Sequence, residues 1–248
     1  MEDSKLTVRA VERALDILIC FTDDTELGLT EIAGRVGLHK STVHRLLASL
    51  ENRGFVIRDD STDKYRLGLR ILELSANMSN ADEPSQLWLP EMEALRDRLE
   101  ETISLYVRDG QERVRIQAVQ SNQAIRRVAP VGARMPLYVG ASSKILLAFA
   151  EEGTRSEIMR SEHWPEHVAH SEFLEQLDEI RGLGFATSVA EREPGAAAVA
   201  VPVLNRSQQL IAVLAVSGPS SRMTPEVMRE QAPVLMETAA RLGRMVKA

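Results

Sequence analysis

Along the first half of the chain, apolar residues recur at helical spacing and then switch to short alternating runs. Val8, Val11, Leu15, Leu18 and Ile19 fall three to four residues apart, with Arg9, Glu12, Arg13 and Asp16 between them. This spacing predicts an amphipathic helix ending near Phe21. Residues 22–28 are polar and read as a loop. Thr30 can cap a short helix that carries Ile32, Ala33 and Val36, and Gly37 permits a tight turn. Residues 40–52 place Val43, Leu46, Leu47 and Leu50 on one face and predict a third helix that ends at Gly54. Two strand-like runs, 55–58 and 64–67, flank the turn-rich Asp59-Asp60-Ser61-Thr62-Asp63. Helix, helix, turn, helix and hairpin in that order form a winged helix-turn-helix.

The pattern resumes as a helix over 69–78 and breaks over the polar stretch 79–85, which holds Pro84. The boundary is placed there: residues 1–78 form one domain with its linker helix, and residues 79–248 a second. The second domain predicts a helix over 90–101 and a hairpin of 102–108 and 113–119 around Asp109-Gly110. It continues with a strand over 124–129, helices over 141–150 and 173–183, and strands over 185–189, 196–204 and 210–217. A closing helix over 224–246 has Thr224 as cap and Pro225 at its first position. Pro202 points to an edge or a bulge. Strands joined by hairpins mark this domain as α+β rather than an alternating βαβ array.

Composition narrows the function. The 248 residues carry 30 Lys and Arg against 36 Asp and Glu, a formal charge of −6, which argues against coating nucleic acid by bulk charge. The segment 35–70 differs: eight basic residues against four acidic give it +4. A single cysteine, Cys20, excludes an intrachain disulfide and a multi-cysteine metal site. The charged start and the shortness of every apolar run predict a cytoplasmic chain with no membrane span. No nucleotide-loop or nucleophile motif is present, so neither catalysis nor a cofactor is expected.

On the third helix Lys40, Ser41, Thr42, His44 and Arg45 remain for a partner, with Lys64 and Arg66 on the wing and Thr30 on the preceding helix. Donors at the N-terminal half of such a helix suit phosphates and base edges in the major groove of double-stranded DNA. His163, His167 and His170 offer a different chemistry, a metal-responsive regulator, although Pro165 interrupts the run.

Three stretches in the first domain carry a resemblance: Val11-Glu12-Arg13-Ala14-Leu15-Asp16-Ile17-Leu18, Ser41-Thr42-Val43-His44-Arg45-Leu46-Leu47, and Tyr65-Arg66-Leu67-Gly68. In the second domain it continues through Pro136-Leu137-Tyr138-Val139-Gly140-Ala141-Ser142-Ser143-Lys144, Glu191-Arg192-Glu193-Pro194-Gly195 and Ala215-Val216-Ser217-Gly218-Pro219. In order, they resemble the IclR family of bacterial transcriptional regulators across nearly the whole chain. The resemblance implies a GAF-like α+β effector-binding domain, a pseudo-palindromic operator, a homodimer or homotetramer, and control of a catabolic or metabolic operon. Carried over by position, the effector residues are Leu137, Gly140, Ala141, Ser142, Ser188, Glu191, Ala196, Ala198, Ala215 and Ser217. Ser143 stands where the family more often has glycine, and Ala198 and Ala215 where it can have polar side chains. These departures predict a roomier, less polar pocket that takes a bulkier carboxylate. Arg126, Arg127 and Arg134 are basic residues able to balance that charge.

Overall fold

The computed structural model describes residues 7–78, 84–126, 130–162, 164–166 and 168–246. The chain divides into two compact units, Met1–Ala81 and Asp82–Ala248.

The first unit is a winged helix-turn-helix. It comprises α1 (Arg9–Ile19), β1 (Leu27–Gly28), α2 (Leu29–Arg35), α3 (Lys40–Asn52), β2 (Val56–Asp59), β3 (Lys64–Leu67) and α4 (Leu69–Met78). Ile17, Phe21, Leu27, Ile32, Val43, Leu47, Val56 and Tyr65 close its core. The sheet order is β1-β3-β2, and β1, too short to leave a pattern, pairs Leu27 with Tyr65. Gly28, not Thr30, caps α2: the Glu31 carboxylate accepts its N–H at 2.7 Å, and Thr30 lies exposed inside the helix.

The apolar stripe of α1 faces outward. Val8, Val11, Leu15 and Ile19 are each more than half exposed, while Ile17 on the other side is fully buried. On α4, Leu69, Leu72 and Leu74 are likewise exposed.

The second unit is a six-stranded antiparallel sheet between two layers of helices. Its elements are α5 (Pro84–Leu87), α6 (Leu89–Leu99), β4 (Thr102–Asp109), β5 (Glu112–Val119), β6 (Arg134–Pro136), α7 (Ala141–Ala148), α8 (Glu152–Met159), α9 (His170–Leu183), β7 (Ala186–Val189), β8 (Ala196–Leu204), β9 (Leu210–Pro219) and α10 (Pro225–Met245). The strand order is β6-β5-β4-β9-β8-β7. Alternation along β9 explains the layering. Ala212, Leu214 and Val216 pack under α6 and α10, whereas Val213 and Ala215 pack under α7 and α9. Thr224 caps α10 by accepting the Val227 N–H. Pro202 pairs with Val213 on β9 and lies beyond the end of β7, so its missing N–H leaves no gap in the ladder.

The strand expected over 124–129 is not present in its described part: residues 124–126 are bends and coil, and 127–129 lie outside the described residues. The sheet edge is instead β6, three residues long, held by Arg113 opposite Met135. The helix α8 was not legible either. Among the described residues no helix is long and apolar enough to cross a membrane.

Trp88 anchors α6 and α10 to this sheet. It is buried, and its indole N–H donates to the Leu242 carbonyl at 2.9 Å. Trp88→Ala is expected to cost about 3–5 kcal/mol through the cavity left behind. Thermal unfolding of the full chain checks this, with a drop of roughly 10 °C expected for the transition of the second unit.

Candidate functional site

In the first unit α3 presents its head to solvent. His39 caps it: the ring Nδ1 lies 2.8 Å from Ser41 Oγ and accepts the Ser41 N–H at 3.4 Å. This holds Ser41 against the first turn, a role for His39 that its sequence position did not announce. Lys40, Ser41, His44 and Arg45 are exposed and Thr42 is half-buried. The charged heads of Lys40 and Arg45 make no hydrogen bond or ion pair among the described residues, so they remain available for phosphates and base edges. Val43 and Leu47, on the opposite face, fix the helix to the core.

On the wing, Tyr65 points inward, so its neighbours Lys64 and Arg66 point out together. The tip satisfies itself. Arg58 pairs with Asp63 at 2.7 Å, and Asp59 accepts the Ser61 hydroxyl and amide, which hold its carboxyl below the usual range. An acidic tip closed on itself leaves the strand cations as the wing's contact. Arg35 is committed elsewhere, to Asp24 at 2.6 Å and the Cys20 carbonyl at 3.2 Å.

In the second unit one cavity opens at the head of α7. Nine of the ten residues carried over from the family resemblance line it: Gly140, Ala141, Ser142, Ser188, Glu191, Ala196, Ala198, Ala215 and Ser217. Register explains their convergence. Ser188 opposes Ala198, Ala198 opposes Ser217, and Ala200 opposes Ala215, so small side chains form a floor across three strands. Leu137 is not part of it; it is buried in the core beneath α7. The cavity also holds Tyr106, Arg113, Arg192 and Glu193, which sequence reasoning missed.

Arg113 dominates this site. It is 5% exposed, and its guanidinium donates to Ser142 Oγ at 2.6 Å and lies 5.3 Å from the centre of the Tyr106 ring. Gly140, at φ +91°, lets the backbone pass this group: a Cβ there would sit 3.0 Å from Arg113 Nη1. Across the mouth, Glu191 accepts the Gly140 N–H at 3.0 Å and pairs with Lys144 at 2.5 Å. Ser217 Oγ is buried without a hydrogen-bond partner among the described residues.

The expectation of a roomy pocket is corrected. The cavity measures about 50 Å3, and Arg113, Glu191, Arg192 and Glu193 line it together with the alanines. Of the three arginines expected to balance a carboxylate, Arg126 and Arg134 do not line the cavity. Arg134 pairs with Asp109 and Glu112, Arg126 bonds Gln120 and the Gln123 carbonyl, and Arg127 lies outside the described residues. Of the three histidines, His163 and His167 lie outside the described residues, and His170 packs edge-on against Trp164. Among the described residues no group of side chains is arranged to hold a metal ion.

Comparison with known proteins agrees with this architecture. Residues 85–244 match the bacterial transcriptional regulator IclR C-terminal domain, and residues 10–60 match the IclR helix-turn-helix domain. The HTH-type transcriptional regulator KdgR of Dickeya chrysanthemi is 32% identical over 95% of this chain and 78% of its own length. The crystal structure of an IclR transcriptional regulator from Alicyclobacillus acidocaldarius superposes with a TM-score of 0.84 at 27% identity, covering 97% of this chain and all of that one. An IclR homolog from Microbacterium hydrocarbonoxydans, solved in complex with 4-hydroxybenzoate, gives a TM-score of 0.77 at 27% identity, over 94% of this chain and 99% of that one. The chain therefore belongs to the IclR family of bacterial transcriptional regulators, DNA-binding proteins rather than enzymes.

Proposed function

We propose that the chain is a cytoplasmic, ligand-responsive regulator of a catabolic or metabolic operon. It binds a pseudo-palindromic operator as a homodimer or homotetramer. Thr30, Lys40, Ser41, Thr42, His44 and Arg45 face the DNA, with Lys64 and Arg66 on the flanking backbone. The dimer forms through the exposed apolar stripes of α1 and α4. The effector is a small organic carboxylate held at the head of α7, and α4 carries its influence to the DNA-binding units. Regulation requires that the effector bind two arrangements of those units with different affinity.

The observation that carries the effector reading is the buried Arg113 guanidinium on the cavity wall. Its fork of donors suits a carboxylate, and the Ser142 and Ser217 side chains line the same cavity. The relative that holds 4-hydroxybenzoate supports the class of ligand. A thermal-shift screen of the full chain with 4-hydroxybenzoate and aliphatic carboxylates tests it. A specific ligand at a hundred times its Kd stabilises by about 2.7 kcal/mol, and Arg113→Gln is expected to abolish the shift. A panel that shifts neither the transition nor the DNA affinity defeats the reading.

A further inference from the structure

The head of α7 concentrates positive charge where a helix least tolerates it. Cations near a helix N-terminus oppose the helix dipole. Yet the buried side chains of Arg113 and Lys144 both lie there, with Arg113 donating to Ser142 in the first turn. Arg113 and Arg192 line the cavity, and Lys144 reaches its Glu191 wall. A second observation points to a ligand independently. Ser217 Oγ, 6% exposed, faces the same cavity with no partner among the described residues.

The anion now seated at this position belongs to the chain itself. The Glu191 carboxylate takes the Gly140 N–H and Lys144 Nζ, a backbone donor and a cation suited to any carboxylate. Glu191 comes from the connection between β7 and β8, which begins with Ala190 at φ +54° and ends with Gly195 at φ +77°. A left-handed conformation at an alanine carries strain. Glu191 and Arg192 also form a partition. Both line the 50 Å3 cavity, and both line a neighbouring open hollow of about 580 Å3 that holds Tyr138 and Phe173. A cavity that admits a benzene ring is about 150 Å3, so the closed cavity is too small for an aromatic ligand.

We propose that Glu191 is a built-in competitor for the effector: an incoming carboxylate, anchored by Arg113, Ser142 and Ser217, displaces it from Gly140 and Lys144. Its departure moves residues 190–195 and joins the two cavities. The inference rests on the carboxylate reading of the cavity. It adds that the chain supplies the resting anion and that occupancy is reported as a movement of this connection.

Calorimetric titration of the full chain with benzoate and with pyruvate, on wild type, Glu191→Gln and Arg113→Gln, tests it. Removing the competitor is expected to tighten binding of at least one probe about tenfold, because affinity is reduced by the fraction of chains in which the seat is free. Arg113→Gln is expected to lose binding. If Glu191→Gln is as weak as wild type or weaker while Arg113→Gln still loses binding, Glu191 is a structural brace and the proposal falls alone. Binding indifferent to Arg113→Gln, or no binding of either probe to wild type or Glu191→Gln, overturns the proposal together with the carboxylate reading. Hydrogen exchange on wild type guards against a variant that misfolds. Probe binding is expected to speed exchange over residues 190–195, and protection there contradicts the displacement.

Discussion

Replacing Lys40 and Arg45 together with alanine is expected to weaken operator binding roughly 100-fold at a fixed moderate salt, taking a base or phosphate contact as worth about 1–3 kcal/mol. Both residues lie at the exposed head of α3, and neither supports the fold: the core side of that helix is Val43 and Leu47. The variant should therefore unfold at the wild-type temperature. Each lost phosphate contact should also flatten the salt dependence by about one power of salt concentration. Fluorescence anisotropy at several salt concentrations reads both effects. Unchanged affinity with an unchanged salt slope would remove α3 from the interface. The overall charge of −6 sharpens this expectation, because bulk attraction cannot substitute for the lost contacts.

The second large effect concerns the apolar face of α1. Leu15 and Ile19 are 53% and 65% exposed, one turn apart, on a helix whose buried side is already filled by Ile17. Leu15→Glu with Ile19→Glu should leave the winged helix-turn-helix folded, since neither side chain packs in its core. It should separate the protomers, because charges placed in an apolar contact are costly to bury. Two linked half-site contacts exceed one by about 100- to 10,000-fold, and that factor is the loss expected in operator affinity. Sedimentation measures the mass and anisotropy the affinity. A variant that stays dimeric, or a monomer that binds DNA as tightly as wild type, contradicts the arrangement.

The two sites differ in how much the amino-acid sequence disclosed. The recognition helix was legible because its signals are local. Val43, Leu46 and Leu47 set the face, Gly37 marks the turn, and Tyr65 between Lys64 and Arg66 sets the wing. What escaped were pieces too short to show a period, such as β1 and β6, and the choice of cap, where the Glu31 carboxylate favours Gly28 over Thr30. Periodicity identified the apolar stripe of α1 but not the side it turns to, since a stripe reads alike against its own core or another chain.

The cavity was legible only where the family resemblance reached. Tyr106 and Arg113 lie on the β4–β5 hairpin, where alternation places Val114 inward and the arginines in solvent. The structure shows the reverse: Arg113 and Arg115 are buried, and Val114 between them is only half-buried. Arg113 and Arg115 instead flank the Tyr106 ring from inside, beside a bulge at Leu105 and Tyr106. Nothing local distinguishes an arginine turned inward for a ligand from one turned out to water.

Paired α3 helices are expected to read a two-fold symmetric DNA sequence. Selection of random duplexes on the full chain, followed by sequencing of those retained, tests it most directly. The retained duplexes are expected to share an inverted repeat whose half-sites lie on one face of the duplex, with centres about 10 base pairs or a multiple apart. Enrichment of a single unpaired site, or no enrichment over the starting pool, would contradict it.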